Sequence, residues 1–285
     1  MNVATPAGAP ARLAGAPISW GVCEVPGWGY QLPAERVLRE MRSLGLTATE
    51  FGPDGYLSAA LLGAHGMSAA GRFVPVLLHE PGADPVGGVE RVLDGFSEGA
   101  VLVLAAATGQ EGYEGRPALD AAGWELLLAS LDRCAAAAAA RGFTATLHPH
   151  VGTMVAERDE VVRVLDGSGV SLCLDTGHLL IGGTDPAALA SGYASRIGHV
   201  HLKDVRARVA GQVRNGEISY TDGVRTGLYQ PLGQGDVDLA GVIGALSGVG
   251  YRGWYVLEQD TILSGPDASP VEQVAESLGY LGTLP

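Results

Sequence analysis

Apolar and polar positions along this chain repeat in two beats, a short apolar run followed by a longer amphipathic stretch. Val37, Leu38, Met41 and Leu44 have the spacing of one buried helix face, and Gly45 supplies a stop. The run 100–105, Ala-Val-Leu-Val-Leu-Ala, is apolar throughout, as a strand covered on both faces requires. The same periods predict strands at 16–21, 48–51, 72–79, 100–105, 143–148, 171–175, 197–202 and 253–258. Between and after them, helices are predicted over 33–44, 57–65, 86–96, 120–141, 155–165, 186–194, 239–250 and 271–281. Pro75 removes one ladder donor from the third strand and makes it the least regular of the set.

Repeated strand–helix cycles make every strand parallel, and right-handed crossovers close eight of them into a ring. The expected fold is α/β, a single (β/α)8 TIM barrel over 15–285, behind an Ala-, Pro- and Gly-rich flexible tail at 1–14. One stretch breaks the rhythm. Residues 203–238 are polar and Gly-rich and read as a long loop, expected to lie over the barrel mouth and exclude water.

In such a barrel the C-terminal strand ends form the active face. Four successive strands finish there with a group able to bind a divalent cation: His148, Asp175, His201 and Glu258. Two imidazoles and two carboxylates suit Mn, Co or Zn, with Mg also admissible, and leave positions open for substrate oxygens. Alternation sets Lys203 on the same side as His199 and His201, where it could neutralise a developing negative charge or simply be solvated. His178, three residues past Asp175, is read either as a contact to a substrate hydroxyl or proton donor, or as a bond within its own turn. Trp20 and Trp28 are candidates for an apolar wall against a sugar, or for core positions, and Arg225 for a substrate clamp or an outer decoration.

Composition narrows the partners. With 47% hydrophobic and 17% charged residues the chain can bury a sizeable core, and a net charge of −13 argues against nucleic acid despite Lys203, Arg206, Arg208 and Arg214. Three cysteines without CxxC spacing point to a reducing compartment. Neither a leader-like start nor an apolar run of membrane length is present in the sequence. A cytoplasmic protein acting on a small molecule is expected, with no membrane partner and with homo-oligomer formation left open. The sequence also lacks a Gly-rich phosphate cradle, which favours an unphosphorylated substrate.

The segments 147–150 (Leu-His-Pro-His), 173–178 (Cys-Leu-Asp-Thr-Gly-His), 199–204 (His-Val-His-Leu-Lys-Asp), 231–236 (Pro-Leu-Gly-Gln-Gly-Asp) and 256–258 (Val-Leu-Glu) resemble the xylose-isomerase-like sugar phosphate isomerase/epimerase superfamily. Within it they are most similar to the inosose dehydratase branch, and the likeness extends back to 18–20 and 49–53. The resemblance implies a divalent metal held from strands five to eight, which falls on His148, Asp175, His201 and Glu258. Many members have Glu where this chain has His148, so His150 is kept as an alternative ligand or a substrate-binding residue. It further implies abstraction of a proton α to a ketone by Glu258 or its close partner, with Glu50, at the tip of strand two, as the second candidate. The resemblance implies a small-molecule polyol or sugar substrate, with dehydration of an inosose the leading reaction. A ketose epimerase, an aldose–ketose isomerase and a non-catalytic sugar-binding barrel are the alternatives.

Overall fold

Eight parallel strands form the ring in the computed structural model, which describes residue 10 and residues 12–284. They are β1 (Leu13–Gly15), β2 (Ala48–Thr49), β3 (Ser68–Ala69 with Gly71–Val76), β4 (Val101–Ala106), β5 (Thr144–Leu147), β6 (Ser171–Asp175), β7 (Ile197–Leu202) and β8 (Tyr255–Leu257). Each pairs with its neighbours in sequence, and β8 pairs with β1. Closure depends on Ala70, which splits β3. Its N–H donates to the Thr49 carbonyl of β2 (2.9 Å), while its own carbonyl accepts from the Val101 N–H of β4 (3.0 Å). Pro75 stays in register with Ala105 despite its missing donor.

Strand parity separates two environments. Leu102, Leu104, Leu172, Leu174, Val200 and Leu202 join the large apolar cluster shared with the helices. Inside the ring the side chains are small, with Ala14, Ala48, Ala70 and Val256 in one cluster and Val101, Val103 and Cys173 in another. The same parity, continued to the strand tips, carries Glu50, His148, Asp175, His201 and Glu258, all buried. Aspartates start many of the covering helices: Asp84, Asp120, Asp185 and Asp238 each accept backbone N–H bonds from the turn they open.

Three expectations need correction. The first strand lies at Leu13–Gly15, upstream of 16–21, and Pro17–Trp20 is a 3-10 turn that Gly21 ends in the left-handed region. The tail assigned to 1–14 therefore gives up its last two residues to the barrel, and residues 1–9 and 11 lie outside the described residues. The third correction is the largest. The stretch 203–238 is an ordered excursion, not a loop. Asp204–Val205 and Tyr229–Gln230 pair antiparallel, with helices Ala207–Arg214 and Tyr220–Arg225 between them. Val205, Val209, Tyr220, Leu228 and Tyr229 bury against Trp28 and Ile181 in a separate apolar cluster. Asp204 closes its far end, accepting the backbone N–H groups of Gly233 (2.8 Å), Gly235 (2.9 Å) and Val237 (3.1 Å).

Candidate active site

A cavity of about 1160 Å³ opens at the C-terminal end of the strands, and Glu50, His148, His150, His201, Lys203 and Glu258 are among its lining residues. His201, on β7, joins the two halves of this set. Its Nε2–H donates to Glu50 Oε1 (3.0 Å), which also accepts from His199 Nε2 (2.8 Å). Its Nδ1 lies 3.3 Å from Glu258 Oε2 and 3.5 Å from Asp175 Oδ2. His148 Nε2 is 3.1 Å from the same Asp175 oxygen. Gly71 permits the crowding, since a Cβ there would stand 2.8 Å from Glu50 Oε1.

Lys203 is the one buried ammonium in this set. Its Nζ donates to Asp260 Oδ1 (2.7 Å) and His178 Nε2 (3.1 Å), pairs with Glu258 Oε2 (3.0 Å) and stands 3.5 Å from Asp175 Oδ2. Asp260 Oδ2 accepts in turn from the Tyr220 hydroxyl (2.5 Å), which lies 2.9 Å from that of Tyr229. Gly177 lets the lysine pass, because a Cβ there would fall 2.7 Å from Lys203 Cβ.

Burial alone would raise every one of these carboxyls, yet the local cations decide the outcome. His201 and His199 hold Glu50 well below the carboxylate range, and His201 with Lys203 holds Glu258 at about 2. Lys203, His178 and the hydrogen bonds from His148 and His201 keep Asp175 low as well. Asp260 goes the other way, since desolvation outweighs the help of Lys203. Burial lowers His201, but Cys173, Glu258 and Glu50 together lift it well above an ordinary imidazole, and the neighbouring carboxylates raise Lys203 against its own burial.

This donor set fits a divalent cation. Ligand atoms of Asp175, His201 and Glu258 lie within 4.8 Å of one another, and His148 reaches the group through Asp175. The carboxylate of Glu50 is an acceptor and fixes the hydrogen of His201 on Nε2. Nδ1 then faces two carboxylates, Glu258 and Asp175, and has no hydrogen-bond partner among the described residues. In the metal-free protein the carboxylates hold a proton on this ring, and a divalent cation at Nδ1 would take its place. Four buried carboxylates, Glu50, Asp175, Glu258 and Asp260, share one ammonium and the His201 ring, so a divalent cation in place of the ring proton would offset the remaining negative charge.

A family model described as the xylose isomerase-like TIM barrel matches residues 97–284, and relatives align over most of the chain. An inosose dehydratase of Geobacillus thermodenitrificans is 31% identical over 90% of this chain and 92% of its own length. The rhizopine catabolism protein MocC of Rhizobium meliloti is 35% identical over 87% of this chain and 81% of its own. The chain belongs to the xylose isomerase-like TIM barrel family. Among solved structures an L-ribulose 3-epimerase superposes with a TM-score of 0.67 at 16% identity, over 95% of this chain and 93% of its own, which is likeness of fold.

For a member of this family, the residues singled out in the sequence fall into two sets. Those at the strand tips meet: His148, Asp175, His201 and Glu258 gather as described, with Glu50 on the far side of His201 and Lys203 beside Glu258. His148, rather than His150, adjoins Asp175. His150 donates from Nδ1 to the Val151 carbonyl (2.7 Å), and burial with the charges of His148 and Lys203 lowers its pKa to about 3, so its Nε2 is a hydrogen-bond acceptor.

The other set does not line the cavity, although His178 packs against His148, Asp175 and His150. His178 lies beneath Lys203, its Nε2 accepting from that ammonium, and is absent from the cavity wall. Its turn is the start of helix Thr176–Ile181, capped by Asp175, whose Oδ1 accepts the His178 N–H (2.8 Å). Trp20 is fully buried on the 3-10 turn and donates its indole N–H to Glu40 (2.8 Å), so it anchors helix Ala34–Ser43 and forms no sugar wall. Arg225 ends its helix half-exposed, paired with Asp222 at 3.2 Å, and does not line the cavity.

The aromatic lining comes from residues the sequence reading passed over. Tyr113, in the segment after β4, lines the cavity, stacks on His150 at 5.8 Å and contacts Tyr220 at 4.7 Å, with Trp28 behind both. Asp260 shares the parity of Glu258, a signal that would have found it. Tyr220 and Tyr229 carry no such signal, because they reach the centre only through the fold of the excursion.

Proposed function

We propose that this protein is a divalent-metal-dependent dehydratase of an inosose, a six-membered cyclic polyol ketone. The observation that carries the reading is the Asp175–His201–Glu258 group, lying at the base of an open cavity in a chain similar over nine-tenths of its length to an inosose dehydratase. Asp175, His201 and Glu258, with His148 alongside, would hold the cation, which supplies Lewis acidity toward the ketone and a neighbouring hydroxyl.

Glu258 has the geometry of the base. Its Oε2 is engaged by His201 and Lys203, whereas Oε1 takes no part in those contacts. In the reaction the α C–H bond breaks, its proton passes to Glu258, and its electron pair becomes an enolate stabilised by the fixed charge of Lys203. The enolate then expels the β-hydroxyl. That group leaves as water with the proton Glu258 has taken, and a C=C bond conjugated with the ketone remains. A carboxylate held near 2 is a weak base, so the step relies on acidification of the substrate. Glu50 is a poor second base, since its Oε1 already accepts two imidazole N–H bonds. His150 Nε2 accepts from a substrate hydroxyl, and Tyr113 offers its ring to the C–H face.

The reading is tested by incubating Mn2+-loaded protein with 2-keto-myo-inositol. Appearance of the conjugated enone absorbance and loss of one water by mass spectrometry are expected. Epimerised or unchanged ketone under the same conditions would reject it.

A further inference from the structure

Lys203 poses a problem for its own site. A flexible ammonium beside Asp175 and Glu258 would, left alone, settle on those carboxylates and occupy the charge that a divalent cation needs. Asp260 makes the shorter contact, at 2.7 Å against 3.0 Å to Glu258 and 3.5 Å to Asp175. Asp260 cannot follow the lysine inward, because its other oxygen is bound to Tyr220 at 2.5 Å. Tyr220 is immobilised in turn. Its backbone N–H donates to Glu114 (3.1 Å), its ring stacks on Trp28, and Trp28 donates to the Thr261 carbonyl next to Asp260 (3.0 Å).

We propose that Asp260 and Tyr220 are positioning residues that draw the Lys203 ammonium toward Asp260 and limit its hold on the cation-binding carboxylates, of which it already touches Glu258 at 3.0 Å, so that the 204–238 excursion tunes the metal affinity of the centre without touching the metal. The inference rests on the reading of Asp175, His201 and Glu258 as ligands. It differs from a general effect of charge, because Tyr220→Phe removes one hydroxyl and alters no formal charge.

The experiment is Mn2+ titration by calorimetry on the full chain, with circular dichroism to verify folding. Tyr220→Phe should weaken Mn2+ binding roughly 3- to 10-fold, within what one hydrogen bond to a charged group is worth. In a Lys203→Met background the same Tyr220→Phe change should have no effect, because the competing ammonium is gone. Asp260→Asn should weaken Mn2+ binding at least as much, and adding Tyr220→Phe to it should bring no further loss. Equal affinity of wild type and a folded Tyr220→Phe protein would overturn the inference alone, as would an undiminished Tyr220→Phe effect in the Lys203→Met background. Should Tyr220→Phe not fold, Asp260→Asn measured with and without Lys203→Met decides by the same comparison. A wild-type protein that binds no Mn2+ would remove the ligand reading, and this inference with it.

Discussion

Glu50→Gln isolates the part played by the buried carboxylate behind His201. Glu50 Oε1 accepts from His199 Nε2 at 2.8 Å and from His201 Nε2 at 3.0 Å. Glutamine keeps the volume and one carbonyl oxygen but turns two charge-assisted bonds into neutral ones, a loss of about 1 kcal/mol each. Metal-free protein should therefore lose about 2 kcal/mol of stability, read as a lower urea midpoint in the presence of EDTA. The effect on metal should be of similar size. A neutral acceptor no longer holds the hydrogen of His201 on Nε2 or enriches Nδ1, and loss of such a supporting carboxylate typically costs about 10- to 100-fold in metal affinity. Calorimetric titration with Mn2+ measures this directly. Affinity within twofold of wild type, with His201 unmoved, would refute the tautomer argument and the fit it supports.

Gly177→Ala places a methyl 2.7 Å from Lys203 Cβ, so it should destabilise the fold by about 1–3 kcal/mol through overpacking and reduce turnover by moving the ammonium; thermal unfolding and a rate measurement check both. Arg225→Ala should leave turnover unchanged and stability within about 0.5 kcal/mol, since the side chain is half-exposed and far from the cavity wall; a large rise in KM would restore it as a substrate clamp. His150 predicts a pH effect. The unfolded ring takes up a proton near its ordinary 6.5, but burial and neighbouring charge deny it to the folded ring until about 3. Its contribution is complete above 6.5 and is lost as pH falls toward 3. His150→Gln should flatten that part of the urea-midpoint profile, and an unaltered slope would assign the effect elsewhere.

The barrel and its centre were legible for the same reason. A strand tip is a position the sequence marks twice, by the end of an apolar run and by parity, and His148, Asp175, His201 and Glu258 carry both marks. Parity also explains Lys203. What parity does not reach was left open: Trp20, offered as a substrate wall or a core residue, sits on a 3-10 turn whose direction no alternation encodes, and it is a core residue bonded to Glu40. The excursion looked like a loop because its elements are short and rich in Gly. Its apolar residues become a core only against Trp28 and Ile181, distant in sequence. Asp260 lies past the last residue of β8, where the apolar run has ended but the direction of the strand continues.

Removal of a proton α to the ketone of an inosose is the step assigned to Glu258. Mn2+-loaded wild-type protein and Glu258→Gln are incubated with 2-keto-myo-inositol in D2O, and substrate and product are followed by NMR and mass spectrometry. Wild type should form the enone and wash deuterium into the α carbon of recovered ketone. In Glu258→Gln both should fall by about 10²- to 10⁴-fold, the usual contribution of a general base, while part of the Mn2+ affinity remains. Wild-type rates of exchange and dehydration in a metal-loaded Glu258→Gln protein would contradict it.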